Sequence, residues 1–355
     1  MASRVQLLQK SLEKNKLDGY LVTDETNILY FSGFFGAYRL LVPRSGESVL
    51  YVYSVNFEAA KAMAENCTVE PLQRGEDADK RLAETAKKLR LKNIGFNSLE
   101  VSTYNKLRKT LRSFKLSSAS QMVSDLRCVK DASEIACVRK AAQLTDVAAE
   151  TARQVIKPGI REYEVAAEVE YVMRKQGSEG TAFDTIVASG PRSAFSHGGC
   201  TSRKIQRGEL IQFDVGARHQ YYVADLTRTF LIGKPTPKQQ KIYEIVQEAQ
   251  ERAFQKIREG VKAKQVDAAA RGYISKEGFG DNFVHGLGHG VGLAVHEPPT
   301  LNSASTDVLK AGNVVTDEPG VYVISYGGIR IEDTVLVKKE GAERLTKAPY
   351  PMTVS

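Results

Sequence analysis

Carboxylates set on neighbouring strands can hold divalent cations, and two such sets occur in this sequence. The segment Leu210-Ile-Gln-Phe-Asp-Val-Gly-Ala217 alternates with the period of a strand, so Ile211, Phe213, Val215 and Ala217 share one face and Gln212, Asp214 and Gly216 the other. The chain then turns at Arg218-His-Gln220 and returns from Tyr221 to Phe230. A turn centred between His219 and Gln220 places Asp214 directly opposite Asp225. Like charges facing each other across a ladder repel, and aspartate is a poor strand residue, so such a pair needs a neutralising partner. In the other reading of these residues the register differs and each Asp is solvated at a strand end.

The second set lies near the C-terminus. Val315-Thr-Asp-Glu-Pro-Gly-Val-Tyr322 carries Glu318, and Gly327-Gly-Ile-Arg-Ile-Glu-Asp-Thr-Val335 carries Glu332. Alternation puts Ile329, Ile331 and Val335 on one face and Arg330, Glu332 and Thr334 on the other. Asp317 and Asp333 fall on the faces opposite Glu318 and Glu332, which makes them structural or solvated. Between the two sets, three of the chain's five histidines fall within twelve residues, in His285-Gly-Leu-Gly-His289-Gly-Val-Gly-Leu-Ala-Val-His296. The His285/His289 spacing is that of a zinc-binding helix. Gly286, Gly288 and Gly290 oppose this, each costing about 1 kcal/mol in a helix, and mark a backbone that passes close to something.

Four off-core carboxylates with at least one imidazole could hold two divalent cations. An oxygen-rich set of this kind suits Mn²⁺, Fe²⁺, Co²⁺ or Zn²⁺ rather than a thiolate-selected metal. Two such ions lower the pKa of a shared water and clamp the oxygens of a hydrolytic transition state. The chemistry is amide or ester hydrolysis.

Positioning these residues requires a large fold. At 355 residues the chain has room for about two domains. Its 42% hydrophobic and 26% charged content excludes disordered, collagen-like and coiled-coil classes. Residues 1–122 alternate helical patterns (4–17, 56–65, 78–91, 103–111) with strand patterns (19–23, 48–52, 93–96), as a small α/β domain does. An aperiodic, Ser-rich stretch over 112–122 ends it. Residues 123–355 begin with the helix start Asp131-Ala-Ser-Glu134. Two amphipathic helices follow (133–156 and 162–176), broken by Lys157-Pro-Gly159, and a third starts at the capping box Thr236-Pro-Lys-Gln239. Helices beside antiparallel strands make this second domain α+β.

The net charge of +8 comes without a basic run, so no nucleic-acid partner is expected. No stretch reaches the roughly 18 apolar residues of a membrane span, and the N-terminal residues lack the apolar centre of a signal peptide. The expected location is the cytoplasm, with no membrane partner. The four cysteines are scattered and suggest neither a zinc knuckle nor a disulfide framework.

The motifs Phe213-Asp-Val-Gly-Ala217, Asp225-Leu-Thr-Arg-Thr229, His285-Gly-Leu-Gly-His289-Gly, Glu318-Pro-Gly320 and Gly328-Ile-Arg-Ile-Glu332 occur in this order. Together they resemble the Xaa-Pro peptidases of the pita-bread fold, prolidase and aminopeptidase P. The resemblance implies a creatinase-like N-terminal domain and a catalytic domain with a curved antiparallel sheet. It implies Asp214, Asp225, His289, Glu318 and Glu332 as ligands of two divalent ions (Mn, Co or Zn), with Asp225 and Glu332 bridging and Glu318 as proton acceptor. His197 and His296 match the family's histidines that contact substrate and steady the tetrahedral intermediate. Arg330 matches its arginine beside the last ligand. His285 is assigned a polar substrate contact and Phe183 a wall of the proline pocket. A homodimer acting on Xaa-Pro dipeptides or short peptides is implied.

A bond preceding proline is a tertiary amide without an N–H, which strand-like protease recognition handles poorly. Dipeptidase is favoured over aminopeptidase P, and a non-catalytic pita-bread peptide-binding module is the third reading. The sequence departs from the family at Asp317, where an apolar residue is common, and at Gly198-Gly-Cys-Thr201 after His197, where a proline is common.

Overall fold

The computed structural model describes residues 3–354 and divides the chain into two compact units, Met1–Arg127 and Cys128–Ser355. In the first unit, an apolar stripe of Val5, Leu8 and Leu12 buries one face of the helix Arg4–Lys14, whose first turn is closed by a reciprocal Ser3/Gln6 cap. The strand patterns read from sequence form Gly19–Val22, Ser48–Tyr53 and Asn93–Phe96. Three further strands, Arg39–Pro43, Cys67–Leu72 and Lys115–Ser118, complete a six-stranded mixed sheet. The last lies in the stretch read as aperiodic. It is an edge strand paired only with Asn93–Phe96, so little of it is buried and its alternation is weak.

The second unit opens with the helix Ala132–Val155, capped by the Asp131/Glu134 box read from sequence. Gly159, with φ of +88°, breaks the chain before the helix Glu162–Lys175. This helical hairpin packs on Ile211, Phe213, Val215, Ala217, Leu226 and Phe230. A second pair, Pro237–Phe254 and Ala263–Lys276, packs on Val315, Ile329, Ile331 and Val335. Each strand set therefore turns one face to a helix pair. Their other faces meet, joined by Thr229 Oγ1 to the Arg330 carbonyl (3.0 Å), the Glu332 amide to the Thr227 carbonyl (3.1 Å) and the Asp225 amide to Thr334 Oγ1 (2.9 Å).

The observed register corrects the sequence reading. Asp214 pairs with Thr227, not with Asp225. The turn is centred on Gln220 and Tyr221, with φ of +47° and +66°, one residue later than expected. Moving the turn by one residue moves each pairing by two, and the period of two leaves every side chain on its original face. Asp214 and Asp225 are thus diagonal neighbours on one side.

Asp317 and Asp333 are both fully buried, so neither is solvated. Asp333 receives Arg228 Nη2 (2.9 Å), Thr346 Oγ1 (2.8 Å) and Gln250 Nε2 (3.0 Å). Arg228, only 1% exposed, also donates to the carbonyls of Glu332 and Ala348, both at 2.6 Å. Arg228→Ala is expected to destabilise this unit by about 3–5 kcal/mol, because it removes the closest cation from buried Asp333, leaving only the partly exposed Arg344 at 3.6 Å, and strips a donor from the Glu332 and Ala348 carbonyls. Urea unfolding measures this; a loss under about 1 kcal/mol would mean that the pair is replaceable by its remaining hydrogen bonds.

Candidate metal centre

All ten residues singled out from sequence line one cavity of about 590 Å³ within the second unit. Asp214 reaches it from the strand Leu210–Val215, and Asp225 precedes Leu226–Ile232. His289 lies on the short strand Gly288–Gly290, not on a helix. A Cβ on Gly288 would sit 2.2 Å from the Thr316 carbonyl oxygen, and one on Gly290 would sit 2.3 Å from that of Pro298. These glycines let the histidine backbone pass between two neighbouring strands.

Ligand atoms of Asp225, His289 and Glu332 lie within 4.8 Å of one another. His289 Nε2 is 3.2 Å from Glu318 Oε1 and 3.8 Å from Asp225 Oδ2, while its Nδ1 sits 3.2 Å from the Gly290 carbonyl. Because a carbonyl can only accept, Nδ1–H donates to it and Nε2 faces the carboxylates, the arrangement that fixes a metal-ligating imidazole. Asp214 connects through Arg330, whose guanidinium it shares with Thr227 Oγ1 (2.9 Å) and the Ser196 carbonyl (3.2 Å).

The electrostatics are those of crowded, buried acids. Asp214 Oδ1, Asp225 Oδ1 and Glu332 Oε1 are buried with no hydrogen-bond partner among the described residues. Burial, then the Asp214 charge, pushes Asp225 well above the usual carboxylate range. Burial, then Asp225 and Glu318, does the same to Glu332. Burial also raises Asp214 against the opposing effect of Arg330. The His289–Glu318 pair behaves differently. Burial opposes charge on both, yet their hydrogen bond and mutual attraction outweigh it, raising His289 to about 9 and lowering Glu318 to about 2. Were all four carboxyls ionised, they would face one guanidinium and at most one imidazolium, a buried excess of at least two negative charges. Protons or cations must balance that excess, and the oxygen-rich donor set with one imidazole fits divalent ions.

The remaining predicted residues surround this group. The His289 and His296 rings stack edge to face at 4.3 Å, and burial followed by the His289 charge lowers His296. His197 and His296 are both exposed to the cavity. His285 Nδ1 lies 2.7 Å from the Gly286 carbonyl and its Nε2 lies 2.9 Å from the Tyr322 hydroxyl, which in turn is 3.2 Å from Arg330 Nη1. Only one direction of donation satisfies all four groups: Arg330 to Tyr322, Tyr322 to His285 and His285 to the carbonyl.

Sequence reasoning missed Tyr322, Thr227 and Thr316. Thr227 Oγ1 donates to Glu332 Oε2 (2.7 Å), and Thr316 Oγ1 donates to Glu318 Oε1 (3.0 Å) while accepting from the His289 amide (3.0 Å). The available signal was alternation, since Thr227 shares a strand face with Asp225, and Thr316 shares one with Glu318.

Residues 136–339 match the metallopeptidase family M24, and residues 4–129 match the creatinase/prolidase N-terminal domain. The chain belongs to family M24. Its second unit has the pita-bread fold, the first being the creatinase-type α/β domain. It is 40% identical to an Xaa-Pro dipeptidase of Pyrococcus horikoshii, over 98% of this chain and 97% of that protein. A solved Xaa-Pro dipeptidase from Bacillus anthracis superposes with a TM-score of 0.94 at 35% identity, covering 99% of each chain. An X-Pro aminopeptidase from Thermotoga maritima gives a TM-score of 0.90 at 35% identity, over 97% of this chain and all of that one. No described helix of the M24 chain is long and apolar enough to cross a membrane.

Proposed function

We propose that this chain is an Xaa-Pro dipeptidase that hydrolyses the bond before proline with two divalent ions, Mn²⁺, Co²⁺ or Zn²⁺, as a homodimer in the cytoplasm. The observation carrying this reading is that ligand atoms of Asp225, His289 and Glu332 lie within 4.8 Å of one another, in a cavity where buried oxygens of Asp214, Asp225 and Glu332 have no hydrogen-bond partner among the described residues. Asp225 and Glu332 would bridge the two ions, Asp214 would complete one site, and His289 with Glu318 the other. When bound, the ions supply Lewis acidity and a water acidified towards neutrality.

The chain's own residues do the rest. Glu318, held far below its ordinary value by His289 despite burial, is ionised across the working range and accepts the proton released on attack. His197 and His296 line the cavity where the scissile carbonyl oxygen gains charge, and each can donate a ring N–H to it. Arg330 keeps Asp214 oriented. Phe183 offers an apolar wall to the proline ring, and the Tyr322-bonded His285 a polar contact.

The similarity to an X-Pro aminopeptidase supports a second reading, in which longer Xaa-Pro peptides are cut. Release of the N-terminal residue from Xaa-Pro and Xaa-Pro-Yaa, after adding Mn²⁺, Co²⁺ or Zn²⁺ to chelated enzyme, separates the two. The dipeptide is expected to be cleaved at least about tenfold faster in kcat/KM, since a dipeptidase has a polar partner for the proline carboxylate that is left unpaired when that carboxylate is an amide. Equal or faster cleavage of the tripeptide would assign the chain to the aminopeptidases.

A further inference from the structure

His197 reaches the cavity from the segment between Ser189 and Thr201, yet no described residue hydrogen-bonds its ring. Its position therefore depends on its backbone. That backbone is intrinsically loose: Gly198 and Gly199 follow directly, Gly199 with φ of +61°. Something outside the segment must hold it.

The most heavily bonded of the segment's supports is one carboxylate. Glu162, the first residue of the helix Glu162–Lys175, is fully buried. Its Oε1 accepts from the amide and the hydroxyl of Ser189, both at 2.8 Å. Its Oε2 accepts from the amide (2.9 Å) and the hydroxyl (2.5 Å) of Thr201, and from the Arg192 guanidinium. Both ends of the segment and its interior thus converge on the same group. Arg192 extends the hold with a second nitrogen that donates to the carbonyl of Gly198, the residue after His197. On the other side the Ser196 carbonyl accepts from Arg330 (3.2 Å) and Gln212 (3.2 Å). His197 is bracketed by two pinned carbonyls, one tied to the metal centre and the other to Glu162 through Arg192.

We propose that Glu162 and Arg192 are positioning residues that set the 189–201 segment so that His197 faces the scissile carbonyl. This rests on the peptidase reading and on the role given there to His197. Five donors on one buried acid, balanced by one guanidinium, are more than helix capping requires, and all five come from the segment that carries His197.

The test is a double-mutant cycle on the metal-loaded enzyme with an Xaa-Pro dipeptide. Arg192→Gln and Thr201→Val are each expected to lower kcat/KM about 10- to 100-fold, the usual effect of removing an outer support, with metal content unchanged. Thr201→Ser, which keeps the hydroxyl, is expected to restore most of the rate. In a His197→Ala background, neither Arg192→Gln nor Thr201→Val should lower the rate further. Equal losses in both backgrounds would overturn the proposal, as would single variants at the wild-type rate. Should His197→Ala itself run at the wild-type rate, the role of His197 fails, an outcome distinct from failure of the clamp. Glu162→Gln leaves an amide group facing the Thr201 N–H and is expected to fold poorly, so the Arg192 and Thr201 variants decide the question.

Discussion

Glu318→Gln is expected to lower kcat by roughly 10²- to 10⁴-fold, the range associated with losing a positioned proton acceptor, while the protein still folds. Glutamine has the same shape, and its carbonyl oxygen can still accept from Thr316 Oγ1, now 3.0 Å from Glu318 Oε1. What disappears is the charge. The His289 attraction that keeps Glu318 ionised down to about 2 has no counterpart in an amide. Removing one of four crowded carboxylates also relieves repulsion, so the thermal midpoint should fall by no more than a few degrees. Steady-state kinetics alongside calorimetry and metal analysis would check this. Turnover near wild type in a metal-replete variant would remove Glu318 from its assigned role.

Stripping the metal with a chelator is expected to abolish measurable hydrolysis and to make stability fall as pH rises. Asp214, Asp225 and Glu332 stand above their ordinary values, chiefly through burial. A carboxyl raised in the folded state stabilises the fold while protonated and loses that contribution as pH climbs through its folded value. His289 has the same sign: raised from 6.5 to about 9, its contribution is complete below the first value and gone above the second. Glu318 has the opposite sign, but its contribution is lost only as pH falls from 4.5 towards 2. Across neutral pH the contributions of these carboxyls and of His289 decline together, opposed by His285 and His296, whose lowered values add stability as pH rises through 6.5, and the midpoint of the stripped protein should drop by a few degrees between about pH 7 and pH 9. Divalent ions should reverse this, releasing protons as they bind and adding about 2.7 kcal/mol when free metal exceeds its Kd a hundredfold. A stripped protein whose midpoint is flat or rises over this interval would contradict the buried-carboxylate account.

Much of the molecule was written locally. The capping residues Asp131 and Thr236, the break at Lys157-Pro-Gly159 and the period-two alternation at 210–217 and 328–335 each act over a few residues, so their helices and strands could be read in order. The side of the strand on which Asp214, Asp225 and Glu332 stand was also legible, because the apolar face declares itself. Edge strands such as Lys115–Ser118 were not, since little of their surface is buried and no pattern is imposed on it.

Distances between those faces lay beyond the reach of sequence. The register of 214 against 227 followed from where two left-handed residues fell in a turn. The contacts of Thr227 with Glu332, Tyr322 with Arg330, and Glu162 with Thr201 join residues separated by 105, 8 and 39 positions. The alternation of a strand states which way a side chain points, and the neighbouring elements state what it meets. Sequence alone determined that several acids and a histidine are turned away from the apolar cores. Only the packing of two helix-backed strand sets against each other decided that these groups share one cavity, where their crowded negative charge makes them a place for metal ions.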